Sequence, residues 1–187
     1  MKKLLFIIAV SLGILSCSSC SKEVQPTSPS CTGEECSMPA PKPSVSVPPP
    51  VDGTLNIQDA NWSFVLPSVG WDKVSFPEDG VQIVLRNEKK RNLIIFVKEK
   101  FDGSPDQYAL FAIRGLKDSG GTLGSVKQVT INDNKFVLVE SSKGSSVKIW
   151  MWITSKAGNG YAFSCGGPID DLQEDLCKKI ADTVKIK

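Results

Sequence analysis

The carboxy-terminal part of this 187-residue sequence predicts an α+β domain built on an antiparallel sheet. Three observations lead to this prediction. Short apolar segments with an alternating, period-two pattern recur between turn residues, as in β-strands. Two other segments carry apolar residues at helical spacing. The strand segments lie before and after the first helical segment, and the second helical segment follows the last long strand. This order is typical of helices packed on an antiparallel sheet.

The amino terminus predicts an export signal. Lys2 and Lys3 precede an apolar run, 4–15, which is too short to cross a bilayer core of about 30 Å as a helix. Cys17 follows Ile14-Leu15-Ser16, and this pattern resembles the lipobox of bacterial lipoproteins. The resemblance implies that residues 1–16 are a lipoprotein signal peptide. It also implies cleavage before Cys17 and attachment of acyl chains such as palmitate to it.

The number of cysteines, six, makes Cys20 an alternative candidate for the lipidated residue. If Cys17 carries the lipid, Cys20 has no partner, whereas processing before Cys20 would leave an even four. Ser18-Ser19 fit the two positions before Cys20. Cys17 would then occupy a position that prefers a branched apolar residue, so we favour Cys17.

Residues 17–53 predict a disordered tether. Eight of the 12 prolines fall between Cys20 and Val51, where there is no aromatic residue. Such a segment buries too little apolar surface to offset its chain entropy. Fully extended, it would reach about 100 Å. The aromatic residues that follow predict one domain over 54–187.

The remaining cysteines suggest two disulfides in an oxidising compartment, Cys31 with Cys36 in the tether and Cys165 with Cys177 in the domain. The second would close a loop of about a dozen residues, worth on the order of 3 kcal/mol.

Strand patterns open the domain. Trp62, Phe64 and Leu66 alternate with polar or small residues, and a second extended piece begins at Trp71. The apolar runs 81–85 and 93–97 flank a polar segment and predict a hairpin with a charged tip.

The first helix is predicted from its capping residues. Ser104, Pro105 and Gln107 are a capping serine, a first-turn proline and a glutamine at the third helical position. Apolar residues follow at helical spacing up to Leu116, and Gly120-Gly121 ends the helix.

The second half predicts strands over 126–131, 136–139, 147–153 and 161–165, a helix over 169–181 and a short edge strand at Val184 and Ile186. In the strand 147–153, the odd-numbered apolar residues point to one face of the sheet. Lys148, Trp150 and Trp152 point to the other. Both faces are therefore expected to be covered, at least in part.

The order of these motifs resembles the PsbP-like α/β/α sandwich, which has a central antiparallel sheet with flanking helices. The similarity rests on Trp62-Ser63-Phe64 leading into Leu66-Pro67, on Gly70-Trp71, on the helix start near Gln107-Tyr108, on 161–165, and on the last helix with Val184-Lys185-Ile186. The group includes the photosystem II extrinsic subunit, a nuclear-import relative that binds a small GTPase, and envelope lipoproteins of the DcrB kind. The resemblance implies an accessory, non-enzymatic role.

The composition argues against most enzymes. The chain has no histidine, which removes the usual triads and most zinc sites. Asp170, Asp171, Glu174 and Asp175 are read as helix-start and solvated residues. We therefore expect no catalytic residues, no metal site and no cofactor. Loss of Lys2 and Lys3 leaves 20 basic and 20 acidic side chains, so nucleic acid is not an expected partner.

Two features are left as candidate contact surfaces. Lys89, Lys90 and Arg91 at the hairpin tip could meet an acidic partner, although a solvated tip is favoured. Trp150 and Trp152 are expected to lie under a helix, but exposed they would mark a partner surface.

The sequence therefore predicts a non-enzymatic binding or assembly module of the bacterial cell envelope. A lipid would hold it to a membrane, the outer membrane facing the periplasm if there are two, and its partner would be an unknown envelope protein. Two alternatives remain: an immunity or phage-exclusion lipoprotein that neutralises an incoming toxin or phage, and, less favoured, a hydrolase or ligand-binding enzyme.

Overall fold

A computed structural model describes residues 55–66, 70–75, 79–87, 91–170 and 174–187. Several sequence predictions lie outside these ranges. They are the signal peptide, the tether, and residues Cys17, Cys20, Cys31, Cys36, Lys89, Lys90 and Asp171.

Strands and helices follow one another in an order close to the predicted one. The strands are β1 (Leu55–Gln58), β2 (Trp62–Leu66), β3 (Asp72–Val74), β4 (Val81–Asn87), β5 (Asn92–Lys100), β6 (Thr122–Ile131), β7 (Asn134–Lys143), β8 (Val147–Lys156), β9 (Asn159–Pro168) and β10 (Lys185–Ile186). The helices are α1 (Pro105–Asp118) and α2 (Glu174–Ala181).

The larger sheet has seven strands in the order β3-β4-β5-β9-β8-β7-β6, and every neighbouring pair is antiparallel. The predicted hairpin of β4 and β5 and the four predicted strands of the second half are confirmed. Asn132 and Asp133 form the turn between β6 and β7, both with positive φ, a conformation that asparagine and aspartate tolerate.

A separate three-stranded sheet, in the order β1-β2-β10, lies against one face of the larger sheet. Its middle strand, β2, alternates as predicted, with Trp62, Phe64 and Leu66 buried. The edge strand at the carboxy terminus is confirmed, because Ile186 pairs with Trp62. Strand β1 was not predicted, since its four residues are too few to show a period.

Helix α1 begins as its capping residues predict. The Ser104 hydroxyl accepts a hydrogen bond from the Gln107 amide at 3.2 Å, and the Gln107 side-chain oxygen accepts one from the Ser104 amide at 2.9 Å. The helix packs on the face of the larger sheet opposite to the small sheet. Phe111, which has helical spacing with the buried residues, is nevertheless 39% exposed and contacts the ring of Phe101 edge-on.

Helix α2 is shorter than predicted. The expected start at Ile169 is wrong, because β9 continues to Pro168, and Ile169, in the turn that follows, donates its amide to the Ser146 carbonyl of the turn before β8 at 2.9 Å. The first turn of the helix holds Glu174 and Asp175, which supply the negative charges that a helix amino terminus favours.

Two apolar cores lie on the two faces of the larger sheet. As predicted for β8, Ile149 and Ile153 belong to the core under α1, whereas Trp150 and Trp152 belong to the core under the small sheet and α2. One face is therefore covered by a helix, and the other mainly by strands with one short helix. The sandwich with flanking helices is confirmed only in part.

Candidate functional site

A groove of about 370 Å³ lies where α2 overhangs the last three strands of the larger sheet. The small sheet covers the other part of this face. The groove is lined from β6, β7, β8 and the α2 region by Lys127, Val129, Thr130, Ile131, Leu138, Glu140, Trp150, Trp152, Glu174, Lys178 and Asp182. It is the candidate binding site of the domain.

The floor of the groove follows from strand register. Trp150 lies opposite Glu140 and Trp152 opposite Leu138 in the β7–β8 ladder, and Leu138 lies opposite Lys127 in the β6–β7 ladder. Directly opposite residues of an antiparallel pair point to the same face. Two indole rings, one leucine and one ion pair are thereby brought together on neighbouring strands.

Both tryptophans are packed rather than projecting. Trp150 is 3% exposed and Trp152 is 4% exposed, and the ring of Trp152 contacts that of Phe163 at 5.7 Å. The Lys148 Nζ lies 4.5 Å from the centroid of the Trp150 ring, within cation–π range. The tryptophans therefore form the inner surface of a groove. They do not project as exposed anchors, the arrangement that the sequence analysis left open.

A disulfide holds the overhanging wall in place. Cys165 of β9 is bonded to Cys177 of α2, with their Cα atoms 5.7 Å apart, so the disulfide predicted within the domain is present in the structure. Cys165 is also the ladder partner of Trp150. Farther along, the Thr183 hydroxyl accepts from the Val65 amide at 2.8 Å and ties the end of the helix to β2.

Two ion pairs lie beside the groove. The Lys127 Nζ and Glu140 Oε1 atoms are 3.2 Å apart, and Lys148 lies 3.7 Å from Glu174. Burial alone would raise the pKa of Glu140, but Lys127, Ser125 and the positive charge of Lys148 together outweigh it and hold the pKa below its ordinary value. Glu140 is therefore an anion near neutral pH, and its charge is compensated.

On the opposite face, a buried phenol contacts a carboxylate. The Tyr108 hydroxyl donates to the Glu99 Oε1 at 2.8 Å. Burial, together with the charge and hydrogen bonding of Glu99, raises the pKa of Tyr108 well above its ordinary value. The phenol therefore stays protonated and acts as a fixed hydrogen-bond donor.

A more open recess of about 480 Å³ lies beside α1, lined by Lys100, Phe101, Asp102, Gln107, Leu110 and Phe111. Leu110 is 66% exposed. No sequence signal marked this recess.

The other candidate residues do not form a site in the described parts of the chain. Within these ranges no three His, Cys, Asp or Glu side chains are grouped so as to hold a metal ion. No helix of the described residues has the length and apolar character needed to cross a membrane. Arg91 is exposed in the β4–β5 turn with a φ of 51°.

Sequence reasoning identified the two tryptophans but not the groove. The pattern Lys148-Trp150-Trp152 placed them on one face of β8. The position of α2 above β6–β8 depends on long-range packing and on the disulfide, for which the pattern of a single strand carries no signal.

Comparison with solved structures supports the fold. The solution structure of cyanobacterial PsbP (CyanoP) from Synechocystis sp. PCC 6803 matches with a TM-score of 0.60 and 15% identity, over 74% of this chain and 95% of that chain. A crystal structure from Bacteroides thetaiotaomicron VPI-5482 matches with a TM-score of 0.50 and 13% identity, over 67% of this chain and 45% of that chain. No protein-family model and no curated protein matches the chain. The domain therefore has the PsbP-like fold that the sequence resembles.

Proposed function

We propose that the protein is a lipid-anchored protein of the bacterial envelope whose PsbP-like domain works as a non-enzymatic binding or assembly module. The domain would recognise an envelope protein through the groove between α2 and strands β6–β8. The lipid on Cys17 and the tether over 17–53 would hold the domain near the membrane and leave it free to reach a partner.

The observation that carries the binding role is the lining of the groove. Its tryptophans are packed into the core, and two ion pairs, Lys127 with Glu140 and Lys148 with Glu174, compensate the charges beside them. General acid–base catalysis needs a group whose pKa lies near the working pH. The pKa of Glu140 is lowered, so this carboxylate is deprotonated near neutral pH and is unsuited to donate a proton. Such a lining favours binding of a ligand over catalysis.

The membrane location rests on the sequence. The apolar run before Cys17 and the residues Ile14-Leu15-Ser16 support lipidation, and Ser18 in place of aspartate favours the outer membrane in a two-membrane bacterium. Without a basic patch, a protein needs at least two acyl chains for stable anchoring in a membrane. A lipoprotein amino terminus would supply them.

Metabolic labelling with an alkyne fatty acid tests the anchor. Wild-type protein in its native envelope should be labelled, and globomycin should cause the unprocessed precursor to accumulate. Cys17→Ala should abolish labelling, whereas Cys20→Ala should leave it unchanged. An unlabelled wild-type protein that is released in soluble form would overturn the proposed anchor.

Site-specific photocrosslinking tests the groove. A crosslinker at Lys178, on the groove wall, is compared with one at Lys117, an exposed residue of α1 on the opposite face. Discrete adducts should form in the envelope from position 178 and not from position 117. Equal adduct patterns from both positions would contradict a role for the groove.

A further inference from the structure

Strand β6 forms a long free edge of the larger sheet. In the described part of the chain, its one hydrogen-bonded neighbour is β7. It has ten residues, whereas the other three edge strands, β3, β1 and β10, have three, four and two. A row of unpaired backbone N–H and C=O groups is a template for another extended chain.

The sequence of β6 gives this edge little protection. Of the residues 122–131, only Lys127 is charged, and its Nζ is paired with Glu140 of the neighbouring strand. Proline is absent from the strand, and Val126 is 47% exposed. Edge strands are commonly protected by charged residues, above all lysine, by proline or by a β-bulge. Here Lys127, whose charge is paired with Glu140, and the bulge between Leu123 and Val126 are such devices, and the bulge leaves 126–131 regular.

The turn after β6 determines which backbone groups face outward. Asn132 and Asp133, with φ values of 45° and 62°, form a two-residue turn, so Ile131 and Asn134 are the hydrogen-bonded pair that closes the hairpin. Because hydrogen-bonded and non-hydrogen-bonded pairs alternate, Val126, Gln128 and Thr130 direct their N–H and C=O groups away from β7.

This edge runs along the groove. The side chains of Lys127, Val129 and Ile131 line the groove from β6 itself. A strand added beside β6 would place every second side chain on the groove face, next to these residues. Since the Lys127 and Glu140 charges already compensate each other, the neighbouring side chains of the added strand would best be uncharged.

We propose that β6 is the docking edge for an extended, uncharged segment of a partner protein, which pairs with 126–131 and directs alternate apolar side chains toward the groove. This inference rests on the proposed function and specifies how its partner binds. Backbone hydrogen bonds would supply affinity, and the groove would supply selectivity for apolar side chains.

A second copy of the chain fits this edge less well in the two registers that bring its Lys127 side chains together. Antiparallel pairing of 126–131 with itself, in the registers centred on Lys127 or Gln128, places the two Lys127 side chains opposite or diagonal to each other on one face. Like charges at such positions destabilise a strand pair. An uncharged partner segment carries no such cost.

Immobilised eight-residue peptides test the pairing, with the full-length protein in detergent as the analyte. The probe alternates leucine or valine with serine or threonine. One control has the same composition with the apolar residues in a block, and another is N-methylated at every second residue. The alternating peptide should bind, and both controls should bind at least tenfold more weakly. Equal binding of the N-methylated peptide, or no binding of the alternating one, would overturn the proposal.

Proline substitution tests the edge from the protein side. Gln128→Pro removes an outward N–H, whereas Gln128→Ala removes the same side chain, with its hydrogen bond to Asp106, and keeps the N–H. Peptide affinity should fall at least tenfold in the first and less than twofold in the second. Val126→Pro, beside the bulge, provides the same test if Gln128→Pro fails to fold.

The oligomeric state distinguishes a partner segment from a second copy of the chain as the occupant of the β6 edge. Wild-type protein that is dimeric without peptide, and monomeric after Gln128→Pro, would overturn the proposal in favour of a second copy. Because these assays do not depend on acylation or on the native envelope, their failure is distinguishable from failure of the lipid-anchor experiment.

Discussion

Cys165 lies directly opposite Trp150 in the β8–β9 ladder, and its disulfide to Cys177 holds α2 over the groove that Trp150 lines. The covalent bond therefore joins the strand beside Trp150 to the helix that forms the wall of the candidate site. Since α2 is only eight residues long, an isolated helix of this length would be marginal, and its position depends on what it packs against.

We predict that removing this bond weakens the fold. The double variant Cys165→Ala/Cys177→Ala should lose about 2–4 kcal/mol of unfolding free energy, because the closed loop no longer restricts the unfolded chain. Urea unfolding followed by tryptophan fluorescence measures this loss. The matched control is Cys31→Ala/Cys36→Ala, in the predicted tether, which should change stability by less than about 0.5 kcal/mol. Equal effects of the two double variants would contradict a structural role for the Cys165–Cys177 bond.

Alkaline pH should destabilise the protein through Tyr108. Its pKa is raised in the folded state above the ordinary value of 10.0, so the folded chain holds a proton that the unfolded chain releases. Stability is therefore kept below about pH 10 and lost as the pH rises further, at up to about 1.4 kcal/mol per pH unit. Urea unfolding between pH 9 and 11.5 measures the slope.

The control for this pH dependence is the second tyrosine. Tyr161 also has a raised pKa, from burial and from the charge of Asp59, but no carboxylate of the described residues accepts a hydrogen bond from it as Glu99 does from Tyr108. Tyr108→Phe should remove most of the alkaline loss, and Tyr161→Phe a smaller part. A slope that is unchanged by Tyr108→Phe would show that other groups cause it.

Local sequence patterns predicted most of the elements but not their layering. The alternation in β2 and β8 and the capping box at Ser104 depend on residues close in the chain, and these predictions are confirmed. In the small sheet, Trp62 of β2 pairs with Ile186 of β10, and these two residues are far apart in sequence. Register between such distant strands is decided by packing on the core, which a single-strand pattern does not encode.

For the groove too, the local strand pattern was predicted correctly and the long-range packing was not. The period of β8 indicated correctly that Trp150 and Trp152 share a face. The helix start at Ile169 was predicted wrongly because Ile169 has helical spacing with later residues, although its amide is taken by Ser146.

Packing of Tyr108 against the backbone of β9 gives a third prediction. A Cβ atom at Gly160 would lie 2.6–2.8 Å from the Tyr108 ring, closer than carbon atoms normally approach. Gly160→Ala should therefore cost about 1–3 kcal/mol, the usual cost of overpacking. In a Tyr108→Ala background, the same substitution should cost clearly less. A double-mutant cycle of urea unfolding measures the coupling, and additive effects would refute the contact.

The ion pair beside the groove should contribute little to stability. Lys127 is mostly exposed, so the pair with Glu140 is screened by solvent, and Lys127→Ala should cost about 0.2–1 kcal/mol at pH 7. Because the pKa of Glu140 is lowered in the folded state, this contribution is present above the ordinary value of 4.5 and lost as the pH falls. Urea unfolding of wild type and Lys127→Ala at pH 7 and near pH 3 tests this, since the difference should disappear at the lower pH. A difference that persists there would mean that the lysine stabilises the strand by packing rather than by charge.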